Sequence, residues 1–233
     1  VSLLAGCGGG GSSSDGGDTD TVVELTPGGY YTEIAFSNGT LAEAITLLSP
    51  TGKFVSVVDF TDITIGSLKF GSNSTVTGTG TDIFYDGTWN SVNGSLDGTV
   101  HNPSSATVTA TAPAYESTVT LERAEAYSDL GVTLADLSGT YTMADPEVYT
   151  TSVTIAADGT VTGSDETGCV FNGQVTIPDT AYNVYEVSYT ASNCADSLRN
   201  GEFFGLGAYD PDLGEVEFAG TDGEVTGVFI GTR

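Results

Sequence analysis

The chain has 233 residues, 39% of them hydrophobic, and carries 31 acidic side chains against 5 basic ones, a net charge of −26. That is apolar content enough for a core and length enough for one large or two small β domains. The charge excludes nucleic acid, because holding phosphates needs clustered lysine and arginine, and it sets the chain against an anionic membrane surface.

The chain opens on an apolar stump and a lone cysteine, LLAGC at 3–7, followed by GGGGSSSDGGDTD. Leu4-Ala5-Gly6-Cys7 resembles the lipobox of bacterial lipoproteins. The resemblance implies that residues 1–6 are the end of a signal peptide whose charged start lies upstream. It also implies that Cys7 takes the diacylglyceryl thioether and becomes the mature N-terminus. Gly8 after the cysteine, where Asp would retain the protein at the inner membrane, implies the outer membrane of a bacterial envelope. Residues 7–21 then read as a disordered Gly/Ser tether between the anchor and a folded body. No later stretch offers the ~18–20 apolar residues of a transmembrane helix.

From Tyr30 the pattern has period two. In ATVTATA (106–112), Val108 and Ala110 face one way and the threonines the other; in STVTLER (117–123), Val119 and Leu121 share a face. Turn signals, some of them readable as bulges rather than hairpin tips, recur at Pro50-Thr51-Gly52, Asp97-Gly98, Asp158-Gly159, Asn172-Gly173 and Asp222-Gly223. The expectation is an all-β protein of two small antiparallel β-barrel or sandwich domains, over 22–128 and 129–233. Two further features support the division. Gly29-Tyr30-Tyr31-Thr32 echoes Gly139-Thr140-Tyr141-Thr142, and ITLLSPTGKF (45–54) echoes VTIAADGTV (153–161). Between the halves, AEAYSDLGVTLADL breaks the alternation, and Thr133 reads as the N-cap of a single helical turn. Gly139-Thr140-Tyr141 is similar, over three residues, to the Gly-x-Trp opening of lipocalin-type barrels.

The second half reads as a meander of about eight strands. In YNVYEVSYT (182–190), Tyr185, Val187 and Tyr189 line one face. In GEFFGLGAY (201–209), Phe204, Leu206 and Ala208 share a face opposite Gly205 and Gly207, whose bareness suits sharp curvature. Tyr185, Tyr189 and Phe204 are therefore the candidate ligand-binding residues. With Cys7 set aside, Cys169 and Cys194 form an even pair, read as a disulfide joining the third strand of this meander to the end of the fourth. A zinc site is the rival, and it lacks both a Cys-x-x-Cys and a nearby histidine.

Motifs for chemistry are sparse. His101 is the only histidine, placed in a turn after a strand, and no Gly-x-Ser-x-Gly, HExxH or P-loop is present. YDGTWN (85–90) reads as a hairpin with a half-buried Trp89, the alternative being a sugar-stacking patch. Asp210, Asp212 and Glu215 around Gly214 suggest calcium only in part; a β-turn with Pro211 at its second position is the competing account. The expectation is a non-enzymatic exported lipoprotein with a ligand-binding or envelope-structural role, without cofactor or catalytic residues. Two alternatives stand beside it: a carbohydrate-active hydrolase using paired carboxylates, and an interaction subunit of a cell-surface assembly. A hollow barrel would favour the ligand, and an acid-lined cleft would favour the enzyme.

Overall fold

The computed structural model describes residues 22–113, 115–144 and 149–233. Cys7, the residues before it and the Gly/Ser tether lie outside the described residues.

The first half forms β1 (Gly28–Phe36), β2 (Leu41–Leu48), β3 (Lys53–Asp59), β4 (Asp62–Phe70), β5 (Thr75–Tyr85), β6 (Trp89–Asn102), β7 (Ser105–Ala112) and β8 (Tyr115–Arg123). These strands pair antiparallel in chain order, and β8 returns to β1 to close a barrel. Two single-turn helices follow, α1 (Glu125–Ser128) and α2 (Leu134–Leu137). The second half forms β9 (Gly139–Met143), β10 (Thr151–Ile155), β11 (Thr160–Asp165), β12 (Val170–Thr176), β13 (Tyr185–Ser192), β14 (Gly201–Asp210), β15 (Glu215–Thr221) and β16 (Thr226–Thr232). It closes as a second barrel, with β16 beside β9. The choice between barrel and sandwich is thus settled as two closed antiparallel barrels.

The sequence echoes mark equivalent positions. Tyr30 and Tyr141 stand in the first strand of each barrel, almost fully buried, and each hydroxyl donates to the carbonyl four residues back, Thr26 and Leu137. In the β2–β3 hairpin Gly52 N–H donates to the Ser49 carbonyl; in the β10–β11 hairpin Gly159 N–H donates to Ala156. Both glycines have φ near +80° (81° and 84°), the left-handed region that side chains avoid. Each glycine carbonyl then accepts from the strand beyond, Leu68 N–H or Val175 N–H, both at 2.8 Å. Even the closing arginines match: Arg123 donates to the Pro27 carbonyl and Arg233 to that of Ser138, each just before its barrel's first strand.

Asp97-Gly98 and Asn172-Gly173 are not turns. They lie inside β6 and β12, where a Cβ on either glycine would run into the neighbouring strand's backbone, at the Thr107 or Ser188 carbonyl. The glycine there serves close approach rather than reversal. His101 likewise sits within β6, exposed, with Nε2 2.9 Å from Thr107 Oγ1.

Each barrel is plugged at one end. Leu25 sits against Tyr30, Leu48, Val100 and Leu121 in the first; Val132 and Leu137 sit against Tyr141, Ile155 and Val175 in the second. Thr133 caps α2 as expected, in a reciprocal capping box with Asp136. The barrels pack side by side through outward-facing residues. Leu47 and Val55 meet Val184, Leu206, Ala208 and Ala219, all buried. Glu186 on the second barrel joins this contact, taking hydrogen bonds from Ser49 (2.7 Å), Thr51 and Lys53 (2.7 Å) of the first. Burial works against ionising Glu186, but these donors outweigh it and hold its carboxyl below the ordinary range.

Candidate ligand-binding cavities

The inner wall of the second barrel follows from the alternation of β13 and β14. Tyr185, Val187 and Tyr189 point inward from β13. On β14 the inward positions are Phe203, Gly205 and Gly207. Phe204 is therefore a correction: it is 55% exposed and lies on the outer face. Leu206 and Ala208 share that outer face, buried under the first barrel. An apolar stripe marks whichever face is covered, and here the neighbouring barrel covers the outside. The bare inner face of β14 makes room for tyrosine instead. A Cβ on Gly207 would collide with the Tyr185 ring, which lies across the strand and donates to the Glu217 carbonyl at 2.7 Å. Burial pushes the Tyr185 hydroxyl well above its ordinary pKa, so it remains a neutral donor.

Next along the wall, Tyr189 stacks on Phe203 with centroids 5.0 Å apart and planes 7° from parallel. Phe171 and Phe218 meet it edge-on at 5.9 and 5.5 Å. The rings leave a cavity of about 380 Å³, walled by Val153, Ile155, Val161, Val187, Phe218 and Phe229. Its rim combines residues of both barrels: Arg199, Asp196 and Tyr149 from the second, Phe60, Thr61 and Trp89 from the first. The Thr226 hydroxyl donates to the Phe60 carbonyl at 2.7 Å and fixes that crossing. Arg199 pairs with Asp165 at 2.7 Å and lies over the Tyr149 ring at 5.5 Å. The Asp165 side chain is fully buried. Burial opposes its ionisation, yet hydrogen bonds from Thr167 and Cys169 and the Arg199 charge hold its pKa low. Arg199 Nη1 is buried and has no hydrogen-bond partner among the described residues.

Cys169 and Cys194 are bridged as the sequence implied. The strands they tie differ from the expectation: Cys169 ends the β11–β12 turn and Cys194 follows β13, so the bond joins the turn after the third strand to the end of the fifth. It lies beside Phe203, Phe171 and Trp89 at the rim. YDGTWN is the expected hairpin, with Tyr85 and Trp89 edge-to-face at 5.4 Å. That Trp89 crosses to the other barrel's mouth could not be read from a period-two pattern, which is silent about contacts between domains. The Asp210–Glu215 segment is the β14–β15 turn, and Asp210 Oδ1 accepts from Asp212 and Leu213 N–H to close it.

No family model matches the chain, and no curated protein matches its sequence. Among solved structures it is similar to the Aeromonas veronii immune modulator A, at 10% identity over 92% of this chain and 97% of that one. The TM-score is 0.37, too low to bear on function.

The first barrel has its own cavity, about 150 Å³, at the end away from Leu25. Its walls include Ile34, Phe36, Val92 and Ala110, and two carboxylates, Asp62 and Asp82, face into it. On the paired strands β4 and β5, Asp82 stands opposite Thr64 and Asp62 opposite Phe84, so the acids are diagonal neighbours on one face. Thr64 donates to Asp82 at 2.8 Å. Among the described residues Asp62 receives neither a hydrogen bond to its carboxylate nor an ion pair. Burial, with Asp82 and Asp59 close by, raises its pKa from 3.8 to about 6. The folded state therefore holds a proton on Asp62 that the unfolded state releases, and stability falls as pH rises from about 4 through about 6. The Asp62→Asn variant should be more stable than the parent at pH 7.5 by roughly 1 kcal/mol, the shift being discounted for a half-exposed site. The advantage should vanish at pH 4, as thermal unfolding at the two pH values will show; equal gains at both would refute the assignment.

Proposed function

We propose that this chain is a non-enzymatic, exported lipoprotein that carries an elongated apolar ligand in its second barrel. The observation that carries the reading is the 380 Å³ aromatic-walled hollow, open at one end and closed at the other by α2. A barrel that served only as scaffold would fill its interior with side chains. The Arg199 guanidinium, 32% exposed and lining the cavity, places a positive charge there that suits a ligand headgroup with an oxygen acceptor, such as a carboxylate. Tyr185 would form the floor, and Tyr189 with Phe203 the flat side wall. Export is supported by the Leu-Ala-Gly-Cys stretch and by a disulfide of the kind that persists in oxidising compartments. In this reading the Cys7 acyl groups hold the protein at the outer membrane, and Cys7→Ser would abolish metabolic labelling with palmitate.

The test uses dodecanoate as the probe. A ligand at 100 times its Kd stabilises the native state by about 2.7 kcal/mol, so the unfolding temperature should rise with concentration. Val153→Phe, which puts a ring into the hollow from β10, should remove that rise. No shift in the parent, or an undiminished shift in the variant, would refute the proposal. The hydrolytic alternative would draw on Asp62 and Asp82, but the walls around them are largely aliphatic and aromatic, whereas a buried sugar needs polar partners for its hydroxyls.

A further inference from the structure

We propose that the first barrel is a second, independent binding site, for a small apolar group bearing a protonated amine. Its cavity and its charge point the same way. A hollow of about 150 Å³ is the size at which an apolar protein cavity accommodates a single benzene-like ring. The walls suit such a ring: Ile34, Phe36, Val92 and Ala110 contribute aliphatic and aromatic surface. Asp62 and Asp82 supply two adjacent carboxylates on the inner face, and none of the chain's five basic side chains lines the cavity. Every ion pair among the described residues lies elsewhere, at Glu186, Asp129 and Asp165. The acids thus confront each other in a half-buried setting without a counter-charge, which costs stability. An ammonium group placed between them would relieve the repulsion and donate charge-assisted hydrogen bonds to both carboxylates. The Tyr115 ring on the same rim adds an aromatic face that favours a cation. The two barrels would then differ in kind: the second long, aromatic and arginine-rimmed, the first short and acid-rimmed.

The experiment compares three isosteric probes by calorimetry on the full chain at pH 7.5: 2-phenylethylamine, 2-phenylethanol and phenylacetate. The amine should bind at least tenfold more tightly than the alcohol, and the carboxylate more weakly than either. In the Asp62→Asn/Asp82→Asn variant the amine should fall to the level of the alcohol while the alcohol is unchanged, which a general attraction of cations to an acidic protein would not produce. Ala110→Phe should abolish binding of the amine but leave the dodecanoate response of the second barrel intact; that response also reports that the variant is folded. Val153→Phe should leave amine binding unchanged. An amine no better than the alcohol, an advantage that survives the double asparagine variant, or a loss caused by Val153→Phe would each overturn the proposal. None of the overturning outcomes depends on dodecanoate binding, so the two sites stand or fall separately.

Discussion

Tyr141→Ala is expected to destabilise the second barrel by about 3–5 kcal/mol, the range for removing a fully buried aromatic side chain. Tyr141 is fully buried and touches both ends of the barrel's closure. Its hydroxyl donates to the Leu137 carbonyl at 2.9 Å, which seats α2 as the plug, and accepts from Arg233 Nη2 at 2.7 Å. Arg233 lies 5.1 Å from the ring centroid and also donates to the Asp136 and Ser138 carbonyls. The contact matters because the β-ladder between β16 and β9 is short: Thr232 opposite Thr142 is its pair among the described residues. Tyr141→Phe keeps the ring and loses only the hydroxyl, so it should cost about 1–2 kcal/mol through the unpaired Leu137 carbonyl and Arg233 donors. Urea unfolding followed by near-ultraviolet circular dichroism measures both. A loss below 1 kcal/mol for Tyr141→Ala would mean that the barrel closes without this residue.

The second large effect is expected at the disulfide. Cys169 and Cys194 are separated by 25 positions, and removing a cross-link over such a loop frees unfolded-chain entropy worth about 3.5 kcal/mol. Cys169→Ala/Cys194→Ala should therefore unfold at markedly lower temperature than the parent, and a reducing agent should reproduce the shift in the parent alone. The consequence should extend to binding. The bridge packs with Phe203 and Trp89 at the cavity rim, so the variant should bind dodecanoate more weakly, with the loss in off-rate as the rim loosens. An unchanged unfolding temperature under reduction would contradict this account.

Most of the architecture was legible because a strand's side-chain period is two, and a half-covered sheet shows that period directly. The division into two β units and the Thr133 cap followed from local pattern, which tertiary contacts here reinforce. Phe204 marks where that logic stops. Alternation shows that two faces differ, but it does not show which is inside, and β14 buries its outer face against Leu47 and Val55. The inward face reads as glycine, the weakest of signals, because its partner is the Tyr185 ring from the strand alongside. Asp97-Gly98 and Asn172-Gly173 failed as turns for a related reason: glycine serves reversal and close approach equally, and only the neighbouring strand distinguishes them. Asp62 and Asp82 were hidden among 31 acidic residues, since nothing local separates an acid facing a cavity from one facing water. The Arg199–Asp165 pair joins positions 34 apart in sequence and carries no short-range signature.

The central claim, a ligand carried in the hollow of the second barrel, is tested most directly by the chain's single tryptophan. Trp89 lies on the rim of that cavity, within range of energy transfer to a fluorescent polyene fatty acid seated inside it. Titration with parinaric acid should quench Trp89 and raise polyene emission together, saturating at one equivalent, and excess dodecanoate should reverse both signals. A titration that shows no saturable transfer, or one that Val153→Phe leaves unchanged, would contradict the account.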